Sequence, residues 1–454
     1  MKLTNLSRRM ESLLATVLCC LTLFFIFKPT HIYMQNRATY SSHLCHGHLS
    51  SYRSCLFKNI CVRNTKKDVS SQPTYFGSTP DTSQMIYYAR PGQNIMPGSL
   101  DVSLSSVPQE PVLTQIQIKE QKLPTNRIHV PGLHVRLETR EVQNFGHHFL
   151  DVLFPIWYSM EHFGVTTPEV RVLSNNLDTP FAERFWSAIT HRPVLNWDKF
   201  LANKAKHAGS GSQVCFEHLI IGHGELSTIP RWGDYPYGVP NQYKPFFFRA
   251  PLIRQFSDYA IHTATGKEPV KILRHTSLPL VTVFKKTGRR NVTNFDSMLA
   301  VVRDYGSKNR IWETKVFRGP ELTFRQQIEL MQRTSVFVGQ FSGGCFAAMF
   351  LPRNADFLTL GDPIFETLYA SKAEVNRQFW YYGHQDSNIW WTNIVGINQQ
   401  SYIFDNSPGE TPLAVVLLKE TENISFSGEK LAVLVQTAVV RVSATMELYD
   451  LPSA

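Results

Sequence analysis

Residues 335–360 read SVFVGQFSGGCFAAMFLPRNADFLTL. The apolar run Val336-Phe337-Val338 ends at Gly339 and a Ser342-Gly343-Gly344 turn follows. An apolar segment of helical character comes next, and a second run closes the stretch at 357–360. That order predicts a strand, a glycine turn, a helix and a second strand. In open α/β sheets ligands collect at the carboxyl ends of the strands, and a glycine turn that feeds a helix offers unpaired N–H groups and a positive dipole end to an anion. The expected ligand is therefore anionic, with Gln340, Ser342, Gly343 and Gly344 as candidate contacts. A glycine turn also serves as a plain connector, so its neighbours decide between the two readings.

Immediately upstream, a predicted strand at 280–284 runs into KKTGRRNVTN at 285–294, where several cations crowd a turn at the mouth of the same sheet. Lys286, Arg290 and Asn294 are candidates to hold a diphosphate there; a solvated basic loop is the alternative. A helix over about 295–305, a strand at 315–317 and a helix from Thr323 complete this α/β unit. Thr323 and Gln326 stand at the spacing of a capping box.

Further toward the N-terminus, NFGHHFLDVLFPIWYSMEHFG at 144–164 carries apolar residues at helical spacing. Asn144, His147 and Asp151 recur at i, i+3 and i+7, so they share one helix face. His147 and Asp151 are candidates for a general base or for a pair that orients an acceptor. The alternative is a capping Asn144 with two hydrogen-bonded polar residues on the helix. His148, about 100° around the helix, reads as structural. A strand at 170–173, a helix near 181–189 and a strand at 215–221 make this a first α/β unit, separated from the second by an aromatic, proline-rich loop at 229–248. Two successive units predict two Rossmann-like domains facing a cleft, at 86–250 and 251–398. Residues 29–85, rich in Ser, Thr, Asn and Lys, read as a stem, and residues 399–454 as a strand-rich tail with no legible role.

With 454 residues, 43% of them hydrophobic, the chain is long enough for more than one packed domain. Its formal charge of +10 is scattered rather than blocked, which argues against nucleic acid and for anionic small molecules or an acidic polymer. Residues 13–27 are apolar and uncharged, with Lys2, Arg8 and Arg9 on their N-terminal side. They predict a signal-anchor at 13–28 behind a cytoplasmic tail at 1–12, hence a single-pass type II protein of the Golgi or endoplasmic reticulum with its bulk in the lumen; a cleaved signal peptide is the alternative. Sequons at Asn291 and Asn423 agree with that address, although Asn291 lies in the basic turn and is expected to be unmodified. Five cysteines follow the apolar segment, and Cys55 and Cys61 are close enough in sequence to suggest a local bridge. No Asp-x-Asp triplet, Walker loop, Gly-x-Ser-x-Gly elbow or His-Glu-x-x-His occurs, so the chemistry expected is metal-independent and runs on cationic side chains.

The chain resembles glycosyltransferase family 61 over roughly residues 50–380. Residues 55–61, CLFKNIC, are similar to the family's Cys-x-Phe-x-Asn-x-Cys signature. Asn144, His147, Asp151 and Pro155 fall on its Asn-x-x-His-x-x-x-Asp-x-x-x-Pro helix. Lys286, Arg290 and Asn294 match an Arg-x-x-x-Arg-x-x-x-Asn turn, with lysine first. LTFRQQIELM at 322–331, VFVG at 336–339 and FLP at 350–352 match the block around the glycine loop. The resemblance implies a GT-B fold, a UDP-sugar donor in the C-terminal domain, no further cofactor, and inverting, metal-free transfer of N-acetylglucosamine or xylose to a glycan or glycoprotein. It implies that Lys286, Arg290 and the N–H groups around Ser342, Gly343 and Gly344 hold the diphosphate, and that Asp151 acts as the base or orients His147. Two positions depart from the family: Phe341 stands where its loop carries histidine, and Thr359, with Asp362 nearby, where it carries glutamate. A silent, glycan-binding or scaffolding relative is the alternative.

Overall fold

A computed structural model describes residues 39–47, 53–64, 83–104, 113–138, 145–177, 179–206, 212–222, 244–270, 273, 278–287, 292–340, 343–352, 355–360, 398–402 and 427–450. The chain divides into residues 1–39 and one compact unit of residues 40–454. The expected signal-anchor at 13–28 lies outside the described residues, among which no helix is long and apolar enough to cross a membrane.

The unit is α/β and contains two large sheets. The first comprises β1 (Ser42–His46), β2 (Ser54–Asn64), β3 (Ser83–Tyr88), β6 (Ile116–Lys119), β7 (Ile128–Arg136), β8 (Arg171–Leu173) and β9 (Val214–Ile221), in the order β6-β3-β2-β9-β7-β8 with β1 paired to β2. A small ladder of β4 (Val102–Ser103) and β5 (Leu113–Thr114) stands apart. The sheet is mixed: β8, β7 and β9 run parallel, as an α/β unit requires, whereas β2 is antiparallel to β1, β3 and β9. The second sheet is wholly parallel, in the order β11 (Glu313–Phe317), β10 (Leu280–Phe284), β12 (Val336–Gln340), β13 (Asp356–Leu360) and β14 (Asn398–Tyr402).

Alternation along the strands sorts side chains onto two layers. In the second sheet Val281, Val283, Val336, Val338 and Leu358 face α5 (Phe295–Asn309) and α7 (Gly428–Asp450). Phe317, Phe337 and Phe357 face the other way, toward α6 (Phe324–Met331) and a 3-10 segment at Gly343–Phe350. The first sheet likewise sets Leu56, Val135, Val172 and Ile220 against α1 (Phe154–His162). Its opposite face holds α3 (Trp197–Lys206) through Trp197, Phe200 and Leu201. The short α2 (Pro180–Glu183), a 3-10 turn at Trp186–Ala188 and α4 (Lys244–Thr265) fill the space between the sheets, so one continuous core reaches from Leu56 to Phe357.

Several sequence expectations need correction. Where the stem at 29–85 is described it is mostly sheet: β1, β2 and the start of β3 occupy it, β2 is central, and Cys55, Phe57, Ile60 and Cys61 have no exposed surface. Its apolar residues sit in short runs between polar stretches, and only their pairing with β9 reveals them as core. A local Cys55–Cys61 bridge is impossible, because residues six apart on one strand lie about 20 Å from each other. The bridges are Cys45–Cys55 and Cys61–Cys215, each joining neighbouring strands. Helix α4 runs unbroken through the expected domain boundary at 250/251, and its first residues are the end of what read as an aromatic loop. The predicted helix near 181–189 is split into α2 and the 3-10 turn. The tail's apolar run at 431–442 is helix, not strand: its buried residues Leu431, Ala432, Val435, Ala438, Val439 and Val442 recur with a period of 3.6, a pattern that its β-branched composition disguises. The run at 413–418 lies outside the described residues. Within the tail, α7 packs on α5, Arg441 pairs with the buried Asp356, and the Tyr305 hydroxyl donates to Gln436 Oε1 at 2.7 Å.

Residues 145–162 are helical throughout but not uniformly wound. A turn at Phe145–His147 passes through a π-helical stretch at His148–Leu153 into α1, where Pro155 sits in the first turn. His148 has no exposed surface and lies among Phe149, Phe181, Phe185 and Trp186, its ring 5.7 Å from that of Trp186. Neither of its ring nitrogens has a hydrogen-bond partner among the described residues. Burial pushes its pKa from the ordinary 6.5 down to about 3, so His148 is neutral in the fold.

Two expectations follow from this packing. On the chain-entropy model a bridge across 154 residues contributes about 5 kcal/mol and one across 10 about 3 kcal/mol. Thermal unfolding of the non-reduced chain should therefore show Cys61→Ala/Cys215→Ala as less stable than Cys45→Ala/Cys55→Ala; the reverse order contradicts the pairing. For His148 the unfolded chain takes up the proton first as pH falls, so its contribution is neutral above about 6.5 and increasingly destabilising from there toward about 3. His134, pushed down to about 4 chiefly by burial, acts in the same direction. The melting temperature should drop between pH 6.5 and 4, and less steeply in His148→Phe; equal slopes in the two proteins would exclude His148 as a contributor.

Candidate active site

The second sheet has a topological switch between β10 and β12. From β10 the chain passes through α5 to β11 on one side, and from β12 through Gly343–Phe350 to β13 on the other. Val283 lies opposite Val338 in register, so the basic turn after β10 and the glycine turn after β12 leave the sheet side by side. The crevice outside such a switch is where open α/β sheets receive ligands.

The basic turn is anchored at its start. The Lys285 backbone N–H donates to Phe317 O at 2.9 Å, and Lys285 Nζ reaches Asp296 in the first turn of α5 at 2.7 Å while lying 5.0 Å above the Phe295 ring. The hydrogen bond from Lys285 holds the Asp296 carboxyl below its ordinary pKa. Lys285 is thereby committed to structure, and Lys286, half-buried beside it, donates to Thr287 O at 3.1 Å. Asn294 occupies the cap position of α5 without a side-chain capping bond; its carbonyl accepts from Met298 N–H at 2.9 Å. Arg290 lies outside the described residues.

On the other side of the crevice, Gly339 pairs with Thr359 and Gln340 with Leu360 on β13. Phe341, Ser342 and Asp362 lie outside the described residues, as do the side chains of Gln340 and Thr359. Gly343 opens the 3-10 segment, where the sequence predicted ordinary helix. Gly344 follows with no room for a side chain: a Cβ there would fall 2.3 Å from Phe284 Cζ. The glycine turn is thus pressed onto the Phe284 ring at the end of β10, and a larger residue would have to displace that ring.

The first half of the chain supplies a third element. The Phe145–His147 turn packs directly against Gly343–Phe350. Phe149, one π-turn on, meets Phe350 edge to face with ring centroids 5.5 Å apart. Asn144 lies outside the described residues, and the side chains of His147 and Asp151 are likewise not described; their backbone ends the turn and winds through the π stretch, respectively. The fold therefore gathers the helix that carries His147 and Asp151, the glycine segment and the start of the basic turn.

Sequence reasoning missed the residues that hold this arrangement. Arg184 Nη2, from the C-terminal end of α2, donates to the carbonyls of Gly319, Pro320 and Leu322 at 3.0–3.1 Å, and so ties the turn after β11 to the first half of the chain. Gln327 Nε2 donates to two of the same carbonyls, those of Gly319 and Leu322. Their only trace in the sequence is a polar residue interrupting an apolar helix face.

Comparison with known proteins adds three findings. Residues 145–358 match the model of the Glycosyltransferase 61 family. The human protein O-linked-mannose β-1,4-N-acetylglucosaminyltransferase 2 is 24% identical over 330 residues, 70% of this chain and 51% of its own length; the mouse protein of the same name is 22% identical with the same coverage. The chain thus spans about half the length of the curated relatives it matches. Among solved structures, a dodecameric iron-containing heptosyltransferase in complex with ADP-D-beta-D-heptose aligns with 70% of this chain and 77% of its own at 9% identity, with a TM-score of 0.21, a likeness too slight to carry an argument. Over residues 145–358, just under half of its length, the chain is similar to the Glycosyltransferase 61 family.

Proposed function

We propose that this protein is an inverting, metal-independent glycosyltransferase of GT-B type that moves N-acetylglucosamine or xylose from a UDP-sugar to a glycan or glycoprotein. The observation that carries this reading is the crevice at the β10–β12 switch, flanked by the basic turn, the glycine segment and the turn that bears His147. The name of the human and mouse relatives supports N-acetylglucosamine as the sugar and an O-mannosylated protein as the acceptor class. The two disulfides support an oxidising compartment, in keeping with a membrane-anchored, lumenal enzyme of the Golgi or endoplasmic reticulum.

In this mechanism Lys286 and Arg290, aided by backbone N–H groups of the Ser342-Gly343-Gly344 turn, neutralise the charge that grows on the departing UDP. Asn144, Asn294 and Gln340 are the further candidates for binding substrate. Asp151, directly or through His147, takes the proton of the acceptor hydroxyl. The freed oxygen attacks the anomeric carbon from the face opposite UDP, a glycosidic bond forms, and the bond to the diphosphate oxygen breaks. A silent glycan-binding relative is the second reading, favoured by Phe341 in the place of the family's histidine.

The purified full-length chain, given a panel of UDP-sugars and O-glycosylated acceptors, should release UDP and extend the acceptor. Glycan binding with neither hydrolysis nor transfer for any donor would establish the silent reading instead. Within an active protein, Arg290→Ala should weaken UDP binding about ten-fold or more, because charge-assisted hydrogen bonds are worth about 1.5–3 kcal/mol; unchanged affinity in calorimetry removes Arg290 from the site. Asp151→Asn should lower turnover about 10²–10⁴-fold with UDP binding intact. If both Asp151→Asn and His147→Ala turn over at the wild-type rate, the helix does not carry the base.

A further inference from the structure

The 3-10 segment Gly343–Phe350 is eight residues long. Runs of this kind seldom exceed three or four residues, because their hydrogen bonds are poorly aligned; surrounding contacts must impose the conformation. Met349, Phe350 and Leu351, at its C-terminal end, are buried to 1% exposure or less. Their carbonyls would be stranded acceptors in an apolar core.

All three carbonyls are met by side chains from elsewhere in the chain. Arg254 Nη1, on α4, donates to Leu351 O at 2.8 Å and to Met349 O at 3.5 Å. Ser257 Oγ, one turn further along the same helix face, donates to Met349 O at 2.7 Å. Gln332 Nε2, at the end of α6, donates to Phe350 O. Arg254 is only 5% exposed, and its charge is balanced by Asp258, whose Oδ1 lies 3.4 Å from Arg254 Nε. A buried guanidinium aimed at backbone carbonyls has no ready explanation as packing alone, since an aliphatic side chain fills such space without desolvating a charge.

We propose that Arg254, Ser257 and Gln332 are positioning residues for the donor site: they clamp the C-terminal end of the glycine segment, while contact of Gly344 with Phe284 fixes its start. The segment is held at both ends before any ligand arrives, so its N–H groups pay no ordering entropy on meeting a diphosphate. Among the described residues, all three reach the carbonyls at the far end of the segment, so they act through the loop. This inference rests on the donor-site reading above.

The test titrates UDP into the full-length chain by calorimetry and follows amide hydrogen exchange across 343–352, in the wild type and in Arg254→Lys, Ser257→Ala, Ser257→Thr and Gln332→Leu. The expected result is faster exchange in the segment and UDP affinity weakened about ten-fold in Ser257→Ala and Gln332→Leu, at temperatures well below their unfolding midpoints, with Ser257→Thr close to wild type. Should Arg254→Lys fail to fold, the Ser257→Ala and Ser257→Thr pair decides. A wild type that binds no UDP overturns the donor reading and this inference with it. A wild type that binds, beside folded variants with unchanged affinity and exchange, overturns the positioning role alone.

Discussion

The Phe149 ring sits at the centre of the core that the two sheets share. It lies 4.6–6.3 Å from the rings of Phe145, Phe185, Phe256, Phe324 and Phe350, which come from five different segments on both sides of the molecule. Aromatic pairs of this kind add about 0.5–1.5 kcal/mol each beyond the area they bury. With Phe149 seated there, the π-helical stretch that carries it, the glycine segment and α6 cannot move independently. The relative placement of His147 and Gly343 is therefore a property of the core rather than of loops.

That constraint gives the crevice its character. A diphosphate needs donors that are already in place when charge develops, because reorganisation at that moment raises the barrier. Here the β10–β12 register sets the two turns side by side, Gly344 lets one press on the other, Arg184 pins the turn after β11, and buried side chains on α4 and α6 take the carbonyls at the far end of the glycine segment. Few of these groups would touch a ligand. Their work is to remove alternatives for those that do.

The N-terminal strands bear on how the protein can be cut. β2 lies between β3 and β9, and Cys61–Cys215 joins it covalently to β9. A segment whose composition suggests a spacer is thus the middle of a sheet, and removing it would expose Phe216 and Leu219 on β9. The C-terminal helix plays a comparable part for the second sheet, where Arg441 and Asp356 meet at the end of β13 remote from the crevice.

Local pattern determined much of this fold. The strand at 280–284, the capping box of Thr323 and Gln326, and the parallel strands around the glycine turn were all legible, because periodicity and capping chemistry act over a few residues and do not depend on distant partners. The basic and glycine turns could likewise be assigned to one sheet edge, since parallel strands place their carboxyl ends together. What stayed hidden was everything set by pairing across long separations. β2 has no alternation that marks it as central until β9 lies beside it, Cys61 has no preference for Cys215 until the register places them opposite one another, and Arg254 is one polar residue on a helix until Met349 and Leu351 turn their carbonyls toward it. Only the tertiary structure decided these, because a hydrogen bond or disulfide forms on the distance between groups, and distance between remote residues is not written in any local stretch of chain.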